Sequence, residues 1–589
     1  MPTRKMPNTI TIIIAVCVLL AACSHQTTVT PSVVPASPTT FVPEPVEVVK
    51  FTPSPTGLKL GAAVPASLRA QAQGWDIPAN SYAALDVSTS PPDSNETQLR
   101  WIYALAAPFP TVTDGVTSDE LKLAWSDGTI PAPFNGHPLL MEESTLAALT
   151  AVWGAPAAGS VRSVPADQLL DTAWSELPSW AIVPFESLEP KWKALTVDGQ
   201  SPIRKKFDPS KYPLVVPFVL QTSTDLDPSS FALPPSNYDP SKLTTIIMTG
   251  VTALVRATAF TMELKGVTYP GEIIRDMMRE ADIAHISNEI PFYRGCQFPN
   301  PSQSALVFCS DPKYIELLAD IGTDVVELTG NHFADRGPQG MIQTIAIYNE
   351  HSIPYFGGGL DKEDSLKPAL LEVNGSRIAF IGCNRPDTGH GPTATDQRPG
   401  AAPCDFAYLQ EKIAQLKSEG YIVVSTFQWN EMYSPQPHEL QMRDFRLMAD
   451  SGADIVSGSQ AHFPQRMEFY NDSFIHYGLG NLFFDQMGNQ PWMPNGIRRE
   501  FLDRYVVYDG KLISIELITA LLEDYSRPRF MTNRERADFL AEYFSHSGWT
   551  SLEPTQTPSI TPTLTPLPTV LPLSGTPSLI PSNTPSPSP

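Results

Sequence analysis

The chain has 589 residues, with 40 Lys+Arg against 62 Asp+Glu and a formal net charge of −22. So acidic a surface repels phosphate backbones and excludes a general nucleic-acid binder, while the length allows more than one domain. A hydrophobic content of 42% excludes a wholly disordered chain. The lack of a bilayer-length apolar run beyond the N-terminus excludes a multi-pass membrane protein.

Arg4 and Lys5 precede the apolar run Ile10–Leu20, and Leu20-Ala21-Ala22-Cys23 follows. A basic start, a short apolar stretch and small residues before a cut form an export signal. Cys directly after Leu-Ala-Ala resembles a bacterial lipobox. That resemblance implies a lipoprotein signal peptide over residues 1–22, a lipid on Cys23, and anchorage to the outer face of the cytoplasmic membrane. Residues 23–55 are rich in Pro, Thr, Ser and Val with few charges, the composition of an extended stalk. Residues 551–589 repeat that composition. They read as a disordered Pro/Ser/Thr-rich tail, either wall-spanning or O-glycosylated, or an end with no role.

Between the tails two bodies are expected. In residues 56–236, the capping box Thr117-x-x-Glu120 starts a helix over Ser118–Ser126, and Gly154 stops one over Glu142–Trp153. Strands are expected at Ala181–Pro184, Ala194–Val197 and Leu214–Leu220. The phrases SWAIVPFESLEPKWKALTVDG and YPLVVPFVL resemble pieces of one lobe of a type-2 periplasmic solute-binding domain. With a single lobe there is no cleft, and the alternative is a structural α/β spacer.

In residues 241–550, short apolar strands alternate with helical patterns, which defines an α/β fold. Strands are expected at Leu243–Met248, Ile283–Ile286, Val325–Leu328, Ile378–Ile381, Ile422–Thr426 and Ile455–Ser457. Helices are expected at Gly271–Ala281, Asp311–Ile321, Gln339–Glu350 and Glu439–Ser451. Asn374-Gly375 and Asn471-Asp472 mark hairpin turns. His285, inside an apolar strand, reads as a core histidine. Cys296, Cys309, Cys383 and Cys404 remain once Cys17 and Cys23 are assigned to the signal region. An exported setting permits disulfides, and the local pairs 296–309 and 383–404 are the simplest of three connectivities.

Polar residues follow several strands at once: Asn288-Glu289, Asn331-His332 with Asp335, Gln428 to Glu431, and Gln460 to His462. Strand carboxyl ends in an α/β sheet open on one crevice. Carboxylate, amide and imidazole meeting there suit a divalent Zn, Mn or Fe ion, which polarises a phosphoryl oxygen and generates hydroxide.

The ordered motifs LTGNHFADRG, GADIVSGSQAHFPQ and FIHYGLGNLFFDQ resemble the CapA family of poly-γ-glutamate capsule synthesis proteins. The resemblance runs over roughly residues 243–490. It implies a four-layer α/β/β/α metallophosphatase-like sandwich, here preceded by a smaller α/β domain. It also implies a surface role in making, anchoring or exporting an anionic polymer, with the capsule synthesis machinery as partner. Three expected ligands are replaced, by Val251, Gln428 and Gln460. The ligands retained under the resemblance are Glu289, Asn331, His332 and His462, enough for one divalent ion at most. His332 is then the expected proton donor and Arg256 an anion clamp, or a partner of Glu289 or Asp335. Asn288, Gln428, Glu431 and Gln460 are the expected substrate contacts, and Asn481 and Asp485 fit the family's closing motif. Two other functions stand beside the capsule reading: a metal-dependent phosphoesterase, and a non-catalytic binding or assembly scaffold.

Overall fold

The computed structural model describes residues 57–93, 96–128, 131–385, 392–488 and 496–550. The signal peptide, Cys23, the stalk and the C-terminal tail lie outside the described residues.

Local signals place many elements. Thr117 and Glu120 exchange both capping bonds at the helix Ser118–Ser126, so two otherwise unpaired N–H groups are satisfied where the helix begins. Glu143–Trp153 ends at Gly154, whose φ is +84°. In the first body these helices flank a mixed eight-stranded sheet. Its order is Gly57–Leu60, Tyr82–Val87, Val215–Thr222, Glu96–Pro108, Trp180–Pro184, Leu139–Met141, Val161–Ser163, with Trp192–Ala194 paired to Glu96–Pro108. A separate two-stranded sheet pairs Gly115–Val116 with Thr196–Val197.

The second body carries two sheets. The first runs Tyr355–Phe356, Val325–Glu327, Ile283–Asn288, Leu243–Thr249, Arg499–Tyr508, Lys511–Glu523, Arg527–Phe530. Its strands are parallel as far as Leu243–Thr249 and antiparallel beyond it. The second runs Ala369–Val373, Ser376–Asn384, Ile422–Gln428, Ile455–Ser459, Ser473–His476, Met467–Tyr470. Asn374 and Gly375 turn the first hairpin of that sheet with positive φ at both positions, and Asn471 turns the last.

The buried residues sort into layers. Ile246, Phe380, Val424 and Ile455 share one core between the two sheets. Met262, Leu318 and Met341, from three helices, pack on the outer face of the first sheet with Ile247 and Ile286. Leu409, Ile413 and Phe445, from the helices Phe406–Ser418 and Glu439–Asp450, cover the outer face of the second. The second body is therefore a four-layer α/β/β/α sandwich.

The bodies are joined through apolar contact. Phe109 of the first body has its ring within 5.2–6.1 Å of Phe469, Phe474, Phe544 and Trp549. Disulfides join Cys296 to Cys309 and Cys383 to Cys404.

Two polar pairs are buried against the inter-sheet core. His476 Nδ1 lies 2.6 Å from Asp503, and both side chains are fully enclosed. His285 Nε2 lies 3.3 Å from Glu327, and its ring stacks on Phe380. His285 is thus a core histidine with a carboxylate neighbour.

Candidate functional site

Each sheet brings its parallel strand ends to the same edge of the sandwich. Glu289 follows the strand Ile283–Asn288 of the first sheet, and His462 follows Ile455–Ser459 of the second. Their side chains face across the gap, His462 Nε2 lying 3.8 Å from Glu289 Oε2, at 5% and 2% exposure. Asn331 and Gln428 make a second crossing, the Gln428 amide donating to Asn331 at 3.3 Å. Asn384 supplies a third, donating to the Thr329 carbonyl at 2.7 Å. The polar run after each strand therefore does converge on one crevice.

Close backbone approach makes this possible. A Cβ on Gly330 would sit 2.6 Å from Glu289 Cα, and one on Gly250 would sit 2.2 Å from the Gly480 carbonyl oxygen. Only glycine allows these two loops to touch. Three non-glycine residues here take positive φ: Arg256 at +45°, Gln460 at +70° and His462 at +54°. Such backbone costs of order 1–3 kcal/mol each and concentrates at functional sites.

The imidazoles are held by their Nδ1 atoms. His332 Nδ1 is 2.8 Å from Asp335, which also accepts the Phe308 N–H at 2.7 Å. His462 Nδ1 is 2.9 Å from Asn481 Oδ1. Burial pulls the His332 pKa down, but the bond to Asp335 and the charges of Glu289, Asp335 and Glu431 outweigh it, and the net shift is upward. Tyr433 donates to Glu431 and accepts from Gln486. Burial first, then Glu431, pushes its phenol well above the ordinary range. Ser459 donates to Gln428 Oε1 at 2.8 Å, so Gln428 is fixed at both ends of its amide.

Several buried acceptors have no hydrogen-bond partner among the described residues: Glu289 Oε1, Gln460 Oε1 and Asn430 Oδ1. An unpaired buried acceptor costs about 1–3 kcal/mol, and the described residues supply no donor to these atoms.

Two expected assignments change. Arg256 is not an open anion clamp, nor does it pair with Glu289 or Asp335. Its guanidinium binds both oxygens of Asp485 and lies 5.0–5.2 Å from the Phe484 and Phe308 ring centroids. Asp485 follows a strand 229 residues away, which no local pattern reveals. Asn288 is not a substrate contact either. It is buried and donates to the Ile290 carbonyl and the Tyr348 hydroxyl, so it fixes the strand end. Glu431, Gln428 and Gln460 do reach the crevice region. Asn430 and Gln486 belong to it without having been singled out; both lie beside motif residues, which is the one signal that points to them.

The metal expectation is tested by this donor set. Among the described residues no three His, Cys, Asp or Glu side chains converge as a group able to hold a metal ion. Val251 stands at a strand-end position paired with Asn481, and an isopropyl group there offers no ligand. Gln428 and Gln460 offer neutral amides, poor ligands for transition metals. Among the described residues the donor set at this edge is thus poor in charged ligands, and no chemical step is derived through a metal ion.

Beside Arg256 and Phe308 a cavity of about 240 Å³ opens, walled by the disulfide-closed segment 296–309 and by Arg336. Crevice and cavity lie in the same α/β/β/α sandwich. The model of the family described as "Bacterial capsule synthesis protein PGA_cap" matches residues 245–486. The PGA biosynthesis protein CapA of Bacillus subtilis is 33% identical over 29% of this chain and 45% of its own length. The capsule biosynthesis protein CapA of Bacillus anthracis is 31% identical over 29% of this chain and 43% of its own length. The chain thus spans less than half the length of these two relatives. A putative 5'-nucleotidase structure from Staphylococcus aureus shares 13% identity, covering 51% of this chain and 59% of that one, at a TM-score of 0.31. That likeness is too slight to bear on the site.

Proposed function

We propose that the chain is a lipid-anchored protein of the cell surface that takes part in the synthesis or export of a capsule-type polymer of the poly-γ-glutamate kind. In this reading its strand-end crevice, a degenerate metal site, holds the polymer and does not cleave it. The lipid on Cys23 would set the protein on the outer face of the cytoplasmic membrane beside the capsule synthesis machinery. The match to the family model over residues 245–486 and the printed names of the two relatives support the polymer.

The observation that carries the crevice reading is the set of partnerless acceptors on Glu289, Gln460 and Asn430. A polyamide backbone offers one N–H donor per linkage, and three acceptors aimed at N–H groups would bind it with no metal. The test is titration of the full chain with poly-γ-glutamate oligomers in the presence of a chelator. Saturable binding that weakens about tenfold in Gln460→Ala, the effect of one or two lost hydrogen bonds, is expected. Binding that appears only on adding Mn²⁺ would overturn it.

A second reading, a metal-dependent phosphoesterase, is favoured by one feature: His332 is backed by Asp335 and shifted upward, as a proton donor to a leaving oxygen needs. Turnover of an activated phosphodiester with Mn²⁺, lost in His332→Ala, would establish it. For the anchor, Cys23→Ala should release the protein from the membrane fraction. Tight membrane association of that variant would count against it.

A further inference from the structure

The junction of the two bodies holds a second polar cavity, separate from the crevice, of about 230 Å³. At ~30 Å³ for each water it has room for about seven waters, a space of amino-acid size. One wall is apolar and includes Phe109, Leu540 and Phe544. The other carries Lys193 and Arg204 from the first body and Arg536 from the second, against Asp114 and Glu516.

The charges are held in fixed positions. Lys193 Nζ donates to the Thr111 carbonyl at 2.7 Å and to Asp114 at 2.8 Å. Arg536 reaches the Val112 carbonyl and Asp114, each at 2.8 Å. Arg204 binds Glu516 at 2.6 Å. Three cationic heads on the lining thus meet two carboxylates in a partly apolar enclosure, with Arg504 a further cation 3.3 Å from Glu516, so positive charge is in excess. Buried charge without its counterpart is costly. An independent feature lies beside the same space. Thr519 lines the cavity, is 3% exposed, and its hydroxyl has no hydrogen-bond partner among the described residues.

We propose that this junction cavity is a binding site for a free acidic amino acid, a small zwitterion with two carboxylates, one ammonium and a net charge of −1. Its carboxylates meet Lys193 and the arginines, its ammonium meets Asp114 or Glu516, and its methylenes lie on the Phe109 wall. The Thr519 hydroxyl donates to a carboxylate oxygen and gains the partner it lacks. A compact inorganic anion would match the cations but leave the apolar wall unused. Because the walls come from both bodies, the bound molecule would also tie them together. The inference does not depend on what the crevice does.

The test is calorimetric titration of the full chain with L-glutamate and D-glutamate, beside glutarate and inorganic phosphate. Saturable binding of a glutamate enantiomer, tighter than glutarate, is expected. Affinity should fall about tenfold in Thr519→Val, which removes one hydrogen bond at constant shape, and further in Lys193→Met. Gln460→Ala in the crevice should leave it unchanged. Lys193 supports the junction, so Lys193→Met risks misfolding, whereas Thr519→Val removes only a hydroxyl that holds nothing in the free protein. No saturable heat with either enantiomer at millimolar concentration would overturn the proposal. So would equal affinities in the chain and in Thr519→Val, or binding of phosphate alone.

Discussion

The crevice and the junction are both polar places in a largely apolar molecule, and they treat their polar atoms differently. At the junction every charged head named above has a bonded counterpart within about 3 Å. In the crevice, by contrast, oxygens of Glu289, Gln460 and Asn430 are buried without donors among the described residues, and three residues around it are held at positive φ. The junction sets paired charges, with cations in excess, around one unpartnered hydroxyl, whereas the crevice sets unpaired acceptors on backbone that costs stability.

The difference can be broken or sharpened by substitution. The largest effect is expected at the junction's apolar side. Phe109→Ala removes a ring enclosed by four aromatic neighbours and should cost about 3–5 kcal/mol in urea unfolding. A loss below about 1 kcal/mol would mean that the bodies are held by other contacts. Next is Arg256→Met, which leaves Asp485 buried at 7% side-chain exposure without its cation. About 2–4 kcal/mol should be lost, and the double variant with Asp485→Asn should recover part of it, as a double-mutant cycle would show.

Within the crevice the sign should reverse. Gln460→Gly relieves a left-handed side-chain position and deletes an unpaired buried oxygen. It should stabilise the protein by about 0.5–1 kcal/mol while weakening polymer binding. A destabilised Gln460→Gly would mean that Gln460 is a structural residue after all.

A further effect is a slope with pH. Burial pulls the Lys193 ammonium down to about 8, against the pull of Asp114. Its folded pKa then lies below the unfolded value of about 10.4, so the unfolded chain binds more protons in that window. Stability contributed by this group therefore rises as pH goes from about 8 to about 10, and below about 8 the penalty is present in full. Lys193→Met should flatten that alkaline rise in thermal unfolding. An unchanged slope would place the titration elsewhere.

How much of this was legible depends on distance along the chain. Thr117 with Glu120, Asn374 with Gly375, and Asn471 each act on their immediate neighbours, and the elements they begin or turn are where the residues put them. Asp509-Gly510, at positive φ in both positions, likewise turns Arg499–Tyr508 into Lys511–Glu523, a turn signal absent from the elements expected above, and the strand interiors are harder to read. In Arg499–Tyr508 the apolar pattern is broken by Glu500 and Asp503, both fully buried. Asp503 is tolerated there because His476, from the other sheet, binds it. Burial raises the Glu500 pKa well above its ordinary value, which no sequence pattern announces.

The candidate site divides the same way. That Glu289, Asn331, His332, Gln428, Gln460 and His462 lie at strand ends was readable, because a short apolar run followed by polar residues is a local signal. Which of them meet was not. Glu289 faces His462, Asn331 faces Gln428, and Arg256 finds Asp485. The sequence by itself determined the strands, turns and helix caps, and the kind of side chain that each strand delivers to the crevice, since these follow from hydrogen bonds and periodicity over a few residues. Only the tertiary structure decided the pairing of charges and which acceptors are left without a donor. Those depend on how strands more than a hundred residues apart are ordered and registered in two packed sheets.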